Sequence, residues 1–350
     1  MEHGGDLISY EKCYRGELID YSSNINPLGP PSGLKDILMS SFDSLQVYPD
    51  IKYRELKASL SNYLKCQVEN TIVGNGAVEL IDNFTALANR VLVYIPSFSE
   101  YEKRALIHGK EVIRIPYNSD YGIDTRDLKG IIEKGDMLIL GNPNNPTGLR
   151  IDKTELLIIY NLIIKSEAYL LLDEAFFEFC PEDYDSIELF RQYNYEGLGI
   201  IRAATKFFAL PGIRLGYGCT SRFLAREISE VQLPWSINSF AESAGKYIFN
   251  DEEYIRESKD YIDRERKYIF RELSKLSSFK AFYTEANYTL IKLLDLDEEY
   301  VFDFFLQRGI VIRKCSSFPG LDNTYIRVAI KSREDNKRLI EIFNELEIVV

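Results

Sequence analysis

Short apolar runs alternate with amphipathic stretches along much of the chain. Residues 90–95, 111–116, 137–140, 169–173, 198–203 and 215–219 read as buried strands. Between them, residues 125–134 and 153–165 repeat apolar side chains three and four apart, the spacing of one helix face. Such alternation predicts an α/β protein with a mainly parallel sheet covered by helices and chemistry at the strands' carboxyl ends. After Asn238 the texture becomes charged and helical through about Leu276. A strand at 288–293, a helix near 298–307 and a last helix from Arg333 follow, the pattern of a smaller α+β unit. The expected organisation is an N-terminal arm (1–35) packing on a small domain (238–350), with a large domain (36–237) between. A chain of 350 residues is long for one domain, which suits this division.

Four short segments at predicted strand ends or helix starts carry candidate chemistry. Lys206 follows the apolar run 198–201, with Arg214 eight places on in Pro211-Gly212-Ile213-Arg214-Leu215-Gly216. An amine there can form a Schiff base with a carbonyl, and a nearby arginine can hold a phosphate. A lone lysine is more often a solvated surface group. Asp173 closes a buried run, where an unpaired carboxylate is costly, so a cationic partner is expected. Asn142-Pro143-Asn144-Asn145-Pro146-Thr147-Gly148 forms a fixed turn after another strand. Gly74-Asn75-Gly76-Ala77 opens a helix whose free N–H groups could seat a phosphate, though such a pair of glycines alone more often marks a plain turn.

Together, and in this order, the four segments resemble the fold-type I enzymes that use pyridoxal 5'-phosphate (PLP), the aspartate aminotransferase superfamily. The resemblance implies PLP as cofactor, Lys206 as its covalent attachment, Asp173 opposite the ring nitrogen and Asn145 at the phenolic oxygen. It also implies Gly76, Ala77, Thr205 and Arg214 around the phosphate, and Phe98 stacked on the ring. Tyr48 matches a tyrosine that reaches the neighbouring subunit's phosphate, which implies a homodimer. Three residues before the lysine the family carries Ser or Thr. Ala203 stands there instead, and PLP should be held more weakly by about 1.5–3 kcal/mol, one hydrogen bond to a charged group, if nothing substitutes.

Further motifs narrow the resemblance. His3-Gly4-Gly5, Tyr21-Ser22-Ser23-Asn24-Ile25-Asn26-Pro27, Gln232-Leu233-Pro234-Trp235 and Arg313-Lys314-Cys315-Ser316-Ser317-Phe318-Pro319-Gly320 are similar to the L-threonine O-3-phosphate decarboxylases of cobalamin biosynthesis. These are relatives of the histidinol-phosphate aminotransferases. The resemblance implies that Arg327 binds the substrate carboxylate, while Arg313, His3, Gly4 and Asn24 hold its phosphate, with Asn145 close by. Phe176 replaces the tyrosine that aminotransferases place three residues after the aspartate, as the decarboxylases do. Histidinol-phosphate-type transamination is the nearest alternative. Serine phosphate differs by one methyl, worth only about 1–3 kcal/mol in a pocket, so it also stands as a substrate.

Composition changes this picture at the margins. The formal charge of −12 opposes non-specific nucleic-acid binding, so an anionic substrate needs local arginines. Five scattered cysteines and two histidines suit free thiols in a cytoplasmic setting and no metal site. No apolar run has the length of a membrane span. A nicotinamide dehydrogenase is disfavoured, because Gly74-Asn75-Gly76 lacks the spaced third glycine of the dinucleotide fingerprint.

Overall fold

The computed structural model describes residues 4–349. In chain order its strands are β1 (Ile19–Asp20), β2 (Thr71–Asn75), β3 (Arg90–Ile95), β4 (Glu111–Pro116), β5 (Met137–Gly141), β6 (Tyr169–Asp173) and β7 (Leu198–Ala203). There follow β8 (Leu215–Thr220), β9 (Phe279–Ala281), β10 (Tyr288–Leu293), β11 (Ile310–Val311), β12 (Arg313–Lys314) and β13 (Tyr325–Ala329). Seven of them make one sheet in the order β2-β8-β7-β6-β5-β3-β4. Its pairs from β7 to β4 are parallel, whereas β8 runs against both β7 and β2. The fold is thus the mainly parallel α/β arrangement that the alternation implies.

Burial on both faces explains why the strands read as continuous apolar runs. Every residue of β5, β7 and β8 is buried. Successive side chains part to opposite faces, as the strand period of two requires. Leu92, Leu138 and Leu172 enter one apolar cluster, while Val91, Val93, Met137 and Leu171 enter the other.

Helix ends follow local capping more than periodicity. Helix Lys153–Lys165 matches its predicted span, with the Asp152 side chain accepting from the N–H groups of Thr154 and Glu155. The helix expected over 125–134 is Thr125–Ile131, because Ile132 is already extended and Gly135 takes a positive φ of 79°. The helical region after Asn238 is two helices, Ser239–Ile248 and Glu252–Leu273. Asp251 caps the second by accepting from Tyr254 N–H, a start signal lying inside an otherwise charged stretch. Strand β2 escaped the sequence reading, since Gly74 and Asn75 cut its apolar run short.

A second sheet, antiparallel in the order β12-β13-β10-β9, stands apart in sequence from the first. The N-terminal segment is fastened to it. β1 pairs in parallel with β11, and Tyr21 N–H donates to Val311 O at 2.8 Å while Ala329 N–H donates to Tyr21 O at 2.9 Å. In the large sheet, Gly141, Asp173 and Ile201 lie side by side in register. The loop of Asn145, the acid Asp173 and the approach to Lys206 therefore leave from one edge.

Candidate active site

A cavity of about 240 Å³ opens at that edge. Asp173, Asn145, Phe98, Phe176 and Lys206 line it from the strand ends, and Ala77, Ala203, Thr205 and Arg214 line one side. Gly4, Asn24, Arg313 and Arg327 close it from the N-terminal segment and the second sheet. Gly76 sits against Arg214 at its rim. His3 lies outside the described residues. Tyr48 stands away from the cavity, 78% exposed, with its ring 4.7 Å from that of Trp235.

Electrostatics differ sharply from one wall to the next. Burial, reinforced by the cations Arg327, Arg214 and Lys331, pulls the Lys206 ammonium down to about 8. Its Nζ lies 5.9 Å from the Phe176 ring centroid, and the charge of Asp20 opposes the fall. Burial pushes the Asp173 carboxyl up, opposed by hydrogen bonds from Tyr101 and Ala175 and by the charge of Lys206. Tyr101 Oη donates to Asp173 Oδ2 at 2.8 Å, and Ala175 N–H donates to Oδ1 at 3.1 Å.

The side of the cavity lined by Ala77 and Arg214 is a cradle of small residues. Gly76, at φ 78°, follows strand β2 and precedes helix Ala77–Leu87 without a capping side chain. The first amides of that helix are open, a seat for an anion. Gly216 lies directly opposite Gly74 across β2 and β8. A Cβ at Gly216 would stand 2.4 Å from Gly76 C and 2.6 Å from Ala77 N, so only glycine lets the backbones approach this closely.

The two arginines of the second sheet are cross-strand partners, Arg313 on β12 opposite Arg327 on β13. Both are buried. Arg313 Nη2 donates to Ser317 Oγ at 2.7 Å. Arg327 Nη1 donates to Asn145 Oδ1, and its Nη2 donates to Ser22 O at 2.9 Å. Its Nε and the neighbouring Asn24 Oδ1 are buried without a partner. Burial lowers Arg327 to about 10. Phe176 packs edge-on against Tyr288 at 4.9 Å and presents no hydroxyl to the cavity.

These residues fit PLP. A buried acid without a cationic hydrogen-bond partner suits a protonated ring nitrogen, and a glycine-lined helix start beside Arg214 suits a phosphate. A lysine of lowered basicity suits a carbonyl, and Phe98 supplies an aromatic wall. Tyr101, Gly216, Ser22 and Glu79 were not singled out from the sequence. Ser22 and Gly216 carried a signal, lying inside the Tyr21–Pro27 and Pro211–Gly216 motifs, and Tyr101 lies three residues after Phe98.

Fold and site together define a PLP-dependent enzyme of the aminotransferase fold. The chain belongs to the class I and II aminotransferase family, whose model matches residues 17–343. A provisionally named threonine-phosphate decarboxylase of Caldanaerobacter subterraneus subsp. tengcongensis is 41% identical over 99% of this chain and 94% of the relative. The threonine-phosphate decarboxylase of Salmonella typhimurium is 32% identical over 93% of this chain and 90% of its own length. Among solved structures, the histidinol-phosphate aminotransferase from Clostridium acetobutylicum is 39% identical with a TM-score of 0.90, covering 95% of this chain and 100% of that one. Among the described residues, no helix is long and apolar enough to cross a membrane, and no His, Cys, Asp and Glu cluster could hold a metal ion.

Proposed function

We propose that the chain decarboxylates L-threonine O-3-phosphate to (R)-1-amino-2-propanol O-phosphate, a step of cobalamin biosynthesis, as a cytoplasmic homodimer. The observation that carries this reading is the Arg313–Arg327 pair. The two guanidinium groups stand opposite each other on neighbouring strands and both line the cavity, so a small substrate with two anionic groups would meet both. Threonine phosphate brings a carboxylate and a phosphate on one small molecule. The curated relative at 41% identity points the same way.

PLP, when bound, supplies an electron sink for the Cα of an amine joined to it. Lys206 contributes a neutral amine at mildly alkaline pH and is the group placed to carry a proton at the substrate's Cα. Asp173 would face the ring nitrogen, its carboxylate braced by the hydrogen bonds that Tyr101 and Ala175 donate. Arg327 takes the carboxylate, which its free Nε and two neutral oxygen contacts leave it able to do. Arg313, Asn24, Gly4 and His3 take the phosphate. Holding both ends fixes which bond at Cα stands across the ring plane, and that choice sets the reaction. Tyr48 lies on the surface of its own chain, so its phosphate contact requires a second copy.

Histidinol-phosphate-type transamination is a second reading, favoured by the 39% identical solved structure of that name. The test is incubation with threonine phosphate, with serine phosphate, and with histidinol phosphate plus 2-oxoglutarate. Release of CO₂ from threonine phosphate supports the proposal. Glutamate formation without CO₂ supports the transaminase.

A further inference from the structure

Glu79 lies in the first turn of helix Ala77–Leu87 yet contributes nothing to the cavity wall. A carboxylate beside a phosphate seat is at first sight misplaced, since it would repel the anion. Its hydrogen bonds explain it. Glu79 Oε2 accepts from Asn75 N–H at 2.6 Å, reaching back over Gly76 in the manner of the acidic half of a capping box. The same oxygen accepts from Gln232 Nε2 and Ser236 Oγ, each at 3.1 Å. Gln232 Nε2 also donates to Val73 O at 2.8 Å. One buttress thus joins the strand β2, the helix start and the segment 232–236, while the amides of Ala77 and Val78 stay open to the cavity.

That segment is pinned on the opposite side of the phosphate seat as well. Asn238 Nδ2 donates to Ile213 O at 3.1 Å, next to Arg214. Between the two anchors lies Trp235, held at a positive φ of 53° with its ring against Tyr48. A left-handed backbone at a bulky residue is costly and persists only where its surroundings impose it. Glu79, through Gln232 and Ser236, and Asn238, through Ile213, anchor the backbone around it.

We propose that Glu79 is a positioning residue that couples occupancy of the phosphate seat to the Trp235–Tyr48 face. An anion on the open amides tightens the helix start, and Glu79 passes that order to Gln232 and Ser236. The proposal rests on the seat being that of the PLP phosphate.

Trp235 is the only tryptophan of the chain, so its emission reports this segment directly. The experiment compares wild type, Glu79→Ala and Glu79→Gln as full-length protein with and without PLP. It measures PLP dissociation by the visible chromophore, quenching of Trp235 by acrylamide, and kcat at saturating PLP. In wild type, PLP should reduce the quenching constant of Trp235. Glu79→Ala should abolish that difference and weaken PLP about tenfold, the cost of one hydrogen bond to a charged group, with kcat changed less than about twofold. Glu79→Gln keeps an oxygen for Asn75 N–H and should retain more PLP affinity than Glu79→Ala. It also serves as the test should the alanine variant misfold, and its Trp235 response should then lie below that of wild type. A wild-type Trp235 response in a folded Glu79 variant overturns the coupling, whether or not PLP weakens. Wild-type protein that never develops a chromophore overturns instead the assignment of the seat.

Discussion

Tyr101 Oη donates a 2.8 Å hydrogen bond to Asp173 Oδ2 in a buried setting, and the Tyr101 ring meets Phe98 edge-on at 5.7 Å. One tyrosine therefore braces both the acid proposed to face the cofactor ring and the aromatic wall of the cavity. Burial and the adjacent carboxylate hold the Tyr101 hydroxyl well above its ordinary value, so it remains a donor throughout the working pH range.

Tyr101→Phe removes one donor from a carboxylate that burial already pushes up. The Asp173 carboxyl should move further up, so the acid limb of the kcat/KM profile shifts to higher pH. Activity at neutral pH should fall about tenfold, one hydrogen bond to a charged group. An acid limb identical to wild type would show that Tyr101 serves only to pack.

Lys206 should capture PLP with an unusual pH dependence. Only the neutral amine attacks a carbonyl, and the amine is freed as pH rises through about 8. Capture by apoprotein should therefore accelerate up to about pH 8 and then level off. Stopped-flow absorbance measures it, and a rate still climbing above pH 10, as for an ordinary lysine, contradicts the assignment.

Arg313→Gln should separate phosphate recognition from chemistry. Losing a charge-assisted contact to a phosphate should lower kcat/KM for threonine phosphate roughly 100-fold. Turnover of unphosphorylated threonine, slow in both proteins, should change little. Equal losses on the two substrates would place Arg313 elsewhere in the mechanism.

Gly216→Ala should empty the phosphate seat without dismantling the sheet. The new methyl meets backbone rather than a flexible side-chain end, so the helix start must shift. Overpacking of this kind costs about 1–3 kcal/mol. A modest fall in Tm with a much larger loss of PLP affinity is the expected result, read by calorimetry and chromophore titration.

The strand ends were legible because parallel strands buried on both faces leave unbroken apolar runs, and Asp173, Asn145 and Lys206 each follow one. What touches what across the site was less so. The Arg313–Arg327 register depends on strands fourteen positions apart folding back on each other, which no local pattern encodes. The Gly216–Gly76 approach needs the antiparallel turn of β8, and Leu215-Gly216 looks like any apolar strand start. The break between helices Ser239–Ile248 and Glu252–Leu273 was hidden because its cap, Asp251, is one acid among many.

The most direct measurement of the whole account is borohydride reduction of the PLP-loaded protein followed by peptide mapping. The geometry around Lys206 predicts a single labelled peptide, with the cofactor on the Nζ of Lys206, and no label in Lys206→Ala. Label on another lysine, or none on protein that has been given PLP, would contradict it.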